Sequence, residues 1–158
     1  MTNSNQVTRI VIGADHAAFE LKAVVYSYLK SAGYAANDIG TFSEFSVDYP
    51  DFAAAVAEQV ADGHADLGIL ICGTGIGMAI AANKIAGIRA AVVHDAATAR
   101  LSREHNNANI ITFGARILTQ DQAIEIVTEF LAASFAGGRH ERRIKKIAEL
   151  DQAREHKL

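Results

Sequence analysis

A chain of 158 residues that is 50% hydrophobic and 21% charged, with one proline and no tryptophan, has the size and composition of a single domain with its own core. Its net charge of -3 argues against a broad nucleic-acid or anionic-membrane surface. The longest apolar stretch, residues 67–82, is interrupted by Thr74 and four glycines, which leaves it short of the roughly 20 residues a membrane span requires.

One cysteine excludes an internal disulfide, and MTNSNQVTRI carries no apolar signal core, so a reducing cytoplasm is the expected setting. In chain order, TRIVIGA (8–14) reads as a buried strand and residues 17–31 as an amphipathic helix stopped by Gly33. A weaker strand near 34–39 leads through the polar loop GTFSEFSVDY to a helix over 50–63, with Pro50 expected at its first position. Strand DLGILI, helix IGMAIAANKIA, strand IRAAVV, helix AATARLSREH and strand ANIITFG follow, then a helix over 119–135 and a last one over 139–157. Apolar strands alternating with helices predict a doubly wound, Rossmann-like α/β domain with a five-stranded parallel sheet covered on both faces. The last helix comes after the sheet is complete, so it either packs on the domain or extends to a partner subunit.

In such sheets ligands bind beyond the carboxyl ends of the strands. Those ends carry Asp15-His16, Cys72-Gly73-Thr74-Gly75, His94-Asp95 and Gly114-Ala115-Arg116. Gly73-Thr74-Gly75-Ile76-Gly77 fits neither a Walker A loop nor G-x-G-x-x-G, because Met78 stands where the last glycine should be. What remains is a turn of small residues with free N–H groups, suited to a phosphate or an oxyanion formed in a reaction. Cys72 has two readings: an inert small residue closing an apolar strand, or a thiolate base or nucleophile favoured by those amides. The six histidines show no zinc-site spacing, so no metal is expected. His64 and His156 read as surface residues, and His105 as a favourable charge where a helix ends at Asn106-Asn107. Arg139, Arg142, Arg143, Lys145 and Lys146 form a basic cluster that reads as a solvated helix end; the i, i+4 spacing of Arg139 and Arg143 also allows both to grip one phosphate.

DHAAFELK (15–22), DYPDFA (48–53), ICGTGIGMAIAANKIAGIRA (71–90), LSREHNNANI (101–110), FGAR (113–116) and GGRHERR (137–143) together resemble the ribose-5-phosphate isomerase type B family, within the wider group that includes galactose-6-phosphate isomerase. The likeness runs from about Arg9 to Leu150. It implies an aldose–ketose isomerase that needs no cofactor or metal and acts on a small sugar phosphate. By that resemblance Cys72 is the base that moves a proton between C1 and C2, Gly73, Thr74, Gly75, Ile76 and Gly77 form the loop around the enediolate oxygens, and His105 is the proton donor for ring opening. Asp15, His16 and Asn106 would contact the sugar, Tyr49 would line the pocket, and Arg116, Arg139 and Arg143 would bind the phosphate or lie beside it. The family forms homodimers or dimers of dimers with sites shared between subunits, which would give the last helix its purpose. A family branch with a glutamate base where this chain has Met78 lacks the cysteine, so the chain resembles the cysteine branch. His105 and Arg139 to Arg143, generally missing from galactose-6-phosphate isomerases, favour ribose 5-phosphate over allose 6-phosphate, galactose 6-phosphate or a tetrulose phosphate. The loop FSEFSV is the least matched piece and could adjust substrate length.

Overall fold

A computed structural model describes residues 7–155. Five parallel strands, β1 (Arg9–Ala14), β2 (Ala35–Asp38), β3 (Leu67–Cys72), β4 (Ala90–Val92) and β5 (Ile110–Gly114), lie side by side in the order β2-β1-β3-β5-β4. The three central strands are the apolar runs, buried along nearly their whole length. The edge strands are short and half-exposed. Successive side chains point to opposite faces. Ile10, Ile12, Ile69, Ile71, Ile111 and Phe113 therefore enter one core beneath α1 (Phe19–Ser31), α4 (Ala96–Asn106) and α5 (Gln120–Ala132). Val11, Leu70, Cys72 and Ile110 enter the other, beneath α2 (Tyr49–Ala61) and α3 (Ile76–Ala82).

The helices follow their apolar spacing. Ala53, Val56, Ala57 and Val60 form the buried stripe of α2, and Ala123, Ile126, Val127 and Phe130 that of α5. Capping boxes, Asp95 with Thr98 and Thr119 with Gln122, start α4 and α5. Several boundaries differ from the sequence expectation: residues 16–18 form a 3-10 turn before α1, α2 ends at Ala61 rather than Gly63, and β4 is confined to Ala90–Val92. Pro50 is the second residue of α2 rather than the first, which still spares its missing N–H. The helix expected to reach Ala86 ends at Ala82, because the Asn83 side chain turns to the edge of β4, donating to the Ala90 carbonyl and accepting from the Ala90 amide. The helix expected to reach Phe135 ends at Ala132. Finally, Gly138–His140 is a 3-10 turn, and α6 proper runs Glu141–Glu155. His64 is exposed; His156 and Lys157 fall outside the described residues.

Two rims result. All strands run the same way, so Asp15, Cys72 and Gly114 emerge together at what we call the upper rim; the register aligns Ala14 with Ile71 and Cys72 with Gly114. Helix α4 leaves that rim after β4 and returns to the opposite, lower rim, where β5 begins. Its 11 residues span about 16 Å.

Candidate active site

At the upper rim the chain turns from β3 into α3 through Gly73 to Gly75. Gly75 has φ +83°, and a Cβ there would lie 2.7–2.8 Å from the Phe113 backbone. Only glycine permits both the dihedral and the approach. The Thr112 hydroxyl donates to the Gly75 carbonyl at 2.7 Å, and the Arg116 amide donates to the Gly73 carbonyl at 3.1 Å, so the loop is pinned to the end of β5. Within this loop the Gly75 amide is directed at the sulfur of Cys72, 3.1 Å away, and the Ile76 amide at the Thr74 hydroxyl, 3.3 Å away. Cys72 is 5% exposed and free of any disulfide. Part of the cradle that the sequence reserved for a substrate oxygen is thus aimed at the thiol itself.

The neighbours complete a wall. Asp15 is buried beside β3, its amide donating to the Ile71 carbonyl and its carboxylate accepting from the Ala17 amide at 3.1 Å. His16 accepts from the Val47 amide through Nδ1 at 3.1 Å. The Tyr49 ring lies against Gly77, where an added Cβ would meet it at 2.5–2.9 Å, and the Arg116 guanidinium lies against Gly73. Thr74, Ile76 and Arg116 are exposed. Asp95, at the tip of β4, is engaged in capping α4, and Met78 is buried in the core beneath the loop.

A second cluster occupies the lower rim. His105 and Asn106 close α4, and Asn107, at φ 46°, turns the chain into the left-handed conformation. Arg89 and Arg103 hold this turn: Arg89 Nε donates to the Asn107 carbonyl at 2.8 Å, and Arg103 donates to the Asn107 side chain and the Ala108 carbonyl. Partial burial lowers the pKa of both guanidiniums. The Ala136 amide donates to the Glu104 carbonyl and brings residues 137–143 against α4, where His140 stacks on His105 with ring centroids 4.3 Å apart. Arg143 donates to the Arg139 carbonyl at 3.3 Å. These two arginines are neighbours as their spacing predicts, although Arg139 sits in the 3-10 turn rather than on the α-helix. Beyond them α6 is exposed on almost every side, with Asp151 accepting from the Gly87 amide at 2.9 Å.

The chain therefore brings Asp15, His16, Tyr49, Cys72, Thr74, Gly73 to Gly77 and Arg116 together, and holds His105, Asn106, Arg139 and Arg143 at the other end of the sheet. The sequence singled out neither the His140 ring nor the Val47 amide. His140 was visible within GGRHERR; a backbone donor leaves no sequence signal. Among the described residues no group of three or more His, Cys, Asp or Glu is placed to hold a metal ion, and no helix is long and apolar enough to cross a membrane.

Comparison with known proteins places the chain among sugar-phosphate isomerases. The family described as Ribose/Galactose Isomerase matches residues 10–147. Ribose-5-phosphate isomerase B of Escherichia coli is 45% identical over 146 residues, covering 92% of this chain and 98% of that protein. The solved ribose-5-phosphate isomerase B of Clostridium thermocellum superposes with a TM-score of 0.91 at 50% identity, covering 92% of this chain and 99% of that one. That of Mycoplasma genitalium, solved with bound ribulose-5-phosphate, gives 0.88 at 44% identity, covering 92% and 97%. The chain belongs to the ribose/galactose isomerase family.

Proposed function

We propose that this chain interconverts D-ribose 5-phosphate and D-ribulose 5-phosphate through an enediolate, with Cys72 as the proton-transfer base. The observation that carries the reading is the Gly75 amide directed at the Cys72 sulfur from 3.1 Å within a glycine loop, since that contact holds the only thiol of the chain beside backbone donors suited to a developing oxyanion. The thiolate takes the proton from C2 of the open-chain aldose, and negative charge passes to the carbonyl oxygen at C1. Loop amides between Gly73 and Gly77 stabilise that oxyanion. The same proton is then delivered to C1, while the hydroxyl proton moves from O2 to O1 beside the Thr74 hydroxyl, giving the ketose. Asp15, His16 and Tyr49 position the sugar, and Arg116 lies where it can meet the phosphate.

Ring opening and the remaining phosphate contacts fall to His105, Asn106, Arg139 and Arg143. These lie past the far end of α4, a helix about 16 Å long that starts at the rim carrying Cys72, which supports a homodimer, or a dimer of dimers, whose sites each combine one upper rim with a partner's lower rim. The nearly naked helix α6 supports the same assembly. No cofactor or metal is required, because a base, an acid and an oxyanion site suffice for this reaction, and a cytoplasmic setting suits a free thiol. The substrate is tested by kcat/KM on four-, five- and six-carbon aldose phosphates. Ribose 5-phosphate is expected to lead; a higher value for allose 6-phosphate, galactose 6-phosphate or a tetrulose phosphate would reassign the substrate within the same chemistry.

A further inference from the structure

The loop between β2 and α2 meets a candidate site side chain through a backbone amide. Its first part is held by a buried ion pair: Lys22, 2% exposed, binds Asp38, whose other oxygen accepts from the Gly40 amide at 2.9 Å. The Phe42 ring lies over the Lys22 ammonium at 4.9 Å. Past Phe42 the loop carries Phe45, 83% exposed, and comes back to the body where the Val47 amide donates to His16 Nδ1. A ring nitrogen that accepts an N–H has no proton of its own, so a neutral imidazole in this position carries its hydrogen on Nε2.

We propose that the Val47 amide is a positioning group: it fixes His16 as the Nε2–H tautomer, which makes His16 a hydrogen-bond donor to an oxygen of the bound sugar phosphate and removes it as a base. The inference rests on the proposed isomerase reading only for the identity of that oxygen's owner. It also explains why two groups with the chemistry of a base, Cys72 and His16, can stand at one rim without competing. One has its acceptor nitrogen occupied; the other has a donor aimed at its sulfur.

The two ring nitrogens can be separated by substitution. Asparagine places its polar atoms near Nδ1, so His16→Asn keeps an acceptor for the Val47 amide and loses the outer donor. Glutamine reaches the position of Nε2, so His16→Gln keeps the donor and loses the acceptor. Three readouts follow on the full chain. Nitrogen-15 spectra at about pH 8, where imidazoles are neutral, are expected to show the His16 signal, identified by its loss in either variant, with Nε2 protonated and Nδ1 bare. An Nδ1–H ring, or rapid averaging of both forms, overturns the proposal. Hydrogen exchange of the Val47 amide is expected to stay slow in wild type and His16→Asn and to quicken in His16→Gln; equal exchange in all three overturns it. Finally, KM for ribose 5-phosphate is expected to rise about tenfold in His16→Asn, the size of one hydrogen bond to a charged acceptor, and less in His16→Gln, with kcat moving little in either. The reverse order overturns it. The first two readouts use no substrate, so a chain that proved to act on another sugar would fail the third while leaving them intact.

Discussion

At the upper rim the loop from Cys72 to Ile76 is held by hydrogen bonds of 2.7–3.3 Å, Gly75 to Cys72, Ile76 to Thr74 and Thr112 of β5 to Gly75. At the lower rim the turn at Asn107 is equally well clamped, but Arg139 and Arg143 beside it are exposed, and His105 is stacked face to face on the imidazole of His140. On the proposed function, the first region performs a reaction whose geometry must not drift, and the second is a set of cations that a partner's upper rim completes. Chemistry that develops charge gains most from preorganised dipoles, whereas a half-site proposed to receive a phosphate and a partner surface must stay accessible until both arrive.

The comparison breaks most sharply at sulfur. Cys72→Ala is expected to lower kcat by about 1,000-fold, the scale of a lost general base, with unchanged far-ultraviolet circular dichroism because a buried alanine fits the same core. Activity within tenfold of wild type would remove the upper rim's assigned role.

The division between the rims makes a second test possible. Cys72→Ala and His105→Ala each spoil both sites of a homodimer. In a mixed dimer with sites shared across the two-fold axis, one site carries both defects and the other carries neither. Random exchange of subunits is therefore expected to recover about a quarter of wild-type activity, from half the dimers each holding one intact site. No recovery under conditions where subunit exchange is demonstrated would mean that each subunit works alone.

How far could the sequence alone have drawn this contrast? The strand tips and the glycine loop were legible because apolar runs fix where strands end, and the ends of parallel strands are where ligands bind. The left-handed turn at Asn107 was legible from the asparagine pair. That His105 stands at the opposite rim was also within reach, since a helix capped at Asp95 and ended at Asn106 has the length of the sheet. The Lys22–Asp38 pair was not. Lys22 sits beside the buried stripe Leu21, Val25 and Leu29, and lysine at such a position reads as a solvated flank until the loop from β2 is folded over it. Likewise, the early end of α3 depends on Asn83 reaching a strand whose place is known only from the tertiary fold.

That buried pair offers the next, smaller effect. Lys22 is 2% and Asp38 15% exposed in the side chain, so Asp38→Asn leaves an ammonium without its counter-charge and is expected to cost about 3 kcal/mol in chemical denaturation. The double change Lys22→Met with Asp38→Asn should recover part of that loss, since no buried charge remains. The loop that carries Phe42 and Val47 starts here, so a variant that kept full stability would also undercut the anchoring of the upper rim's outer wall.

The smallest effect sharpens the lower rim. His140 titrates below the ordinary imidazole value, first because partial burial withdraws water from its charged form and then because His105, Arg139 and Arg143 surround it with positive charge. The folded chain thus binds that proton less tightly than the unfolded chain. Stability is complete above the ordinary imidazole value of about 6.5 and declines as pH falls through it towards the lower folded value, below which the loss levels off. A phosphate dianion seated among these cations reverses the sign of the local field, so the His140 midpoint should climb when inorganic phosphate or sugar phosphate is added, and His105→Ala alone should raise it slightly by removing one neighbour. Proton spectra of the imidazole rings across pH 5 to 8, roughly the range in which histidine changes charge, read both shifts. A midpoint indifferent to phosphate would mean that this cationic cluster is not where the anion sits, and the phosphate would then have to be held at Arg116 on the upper rim alone.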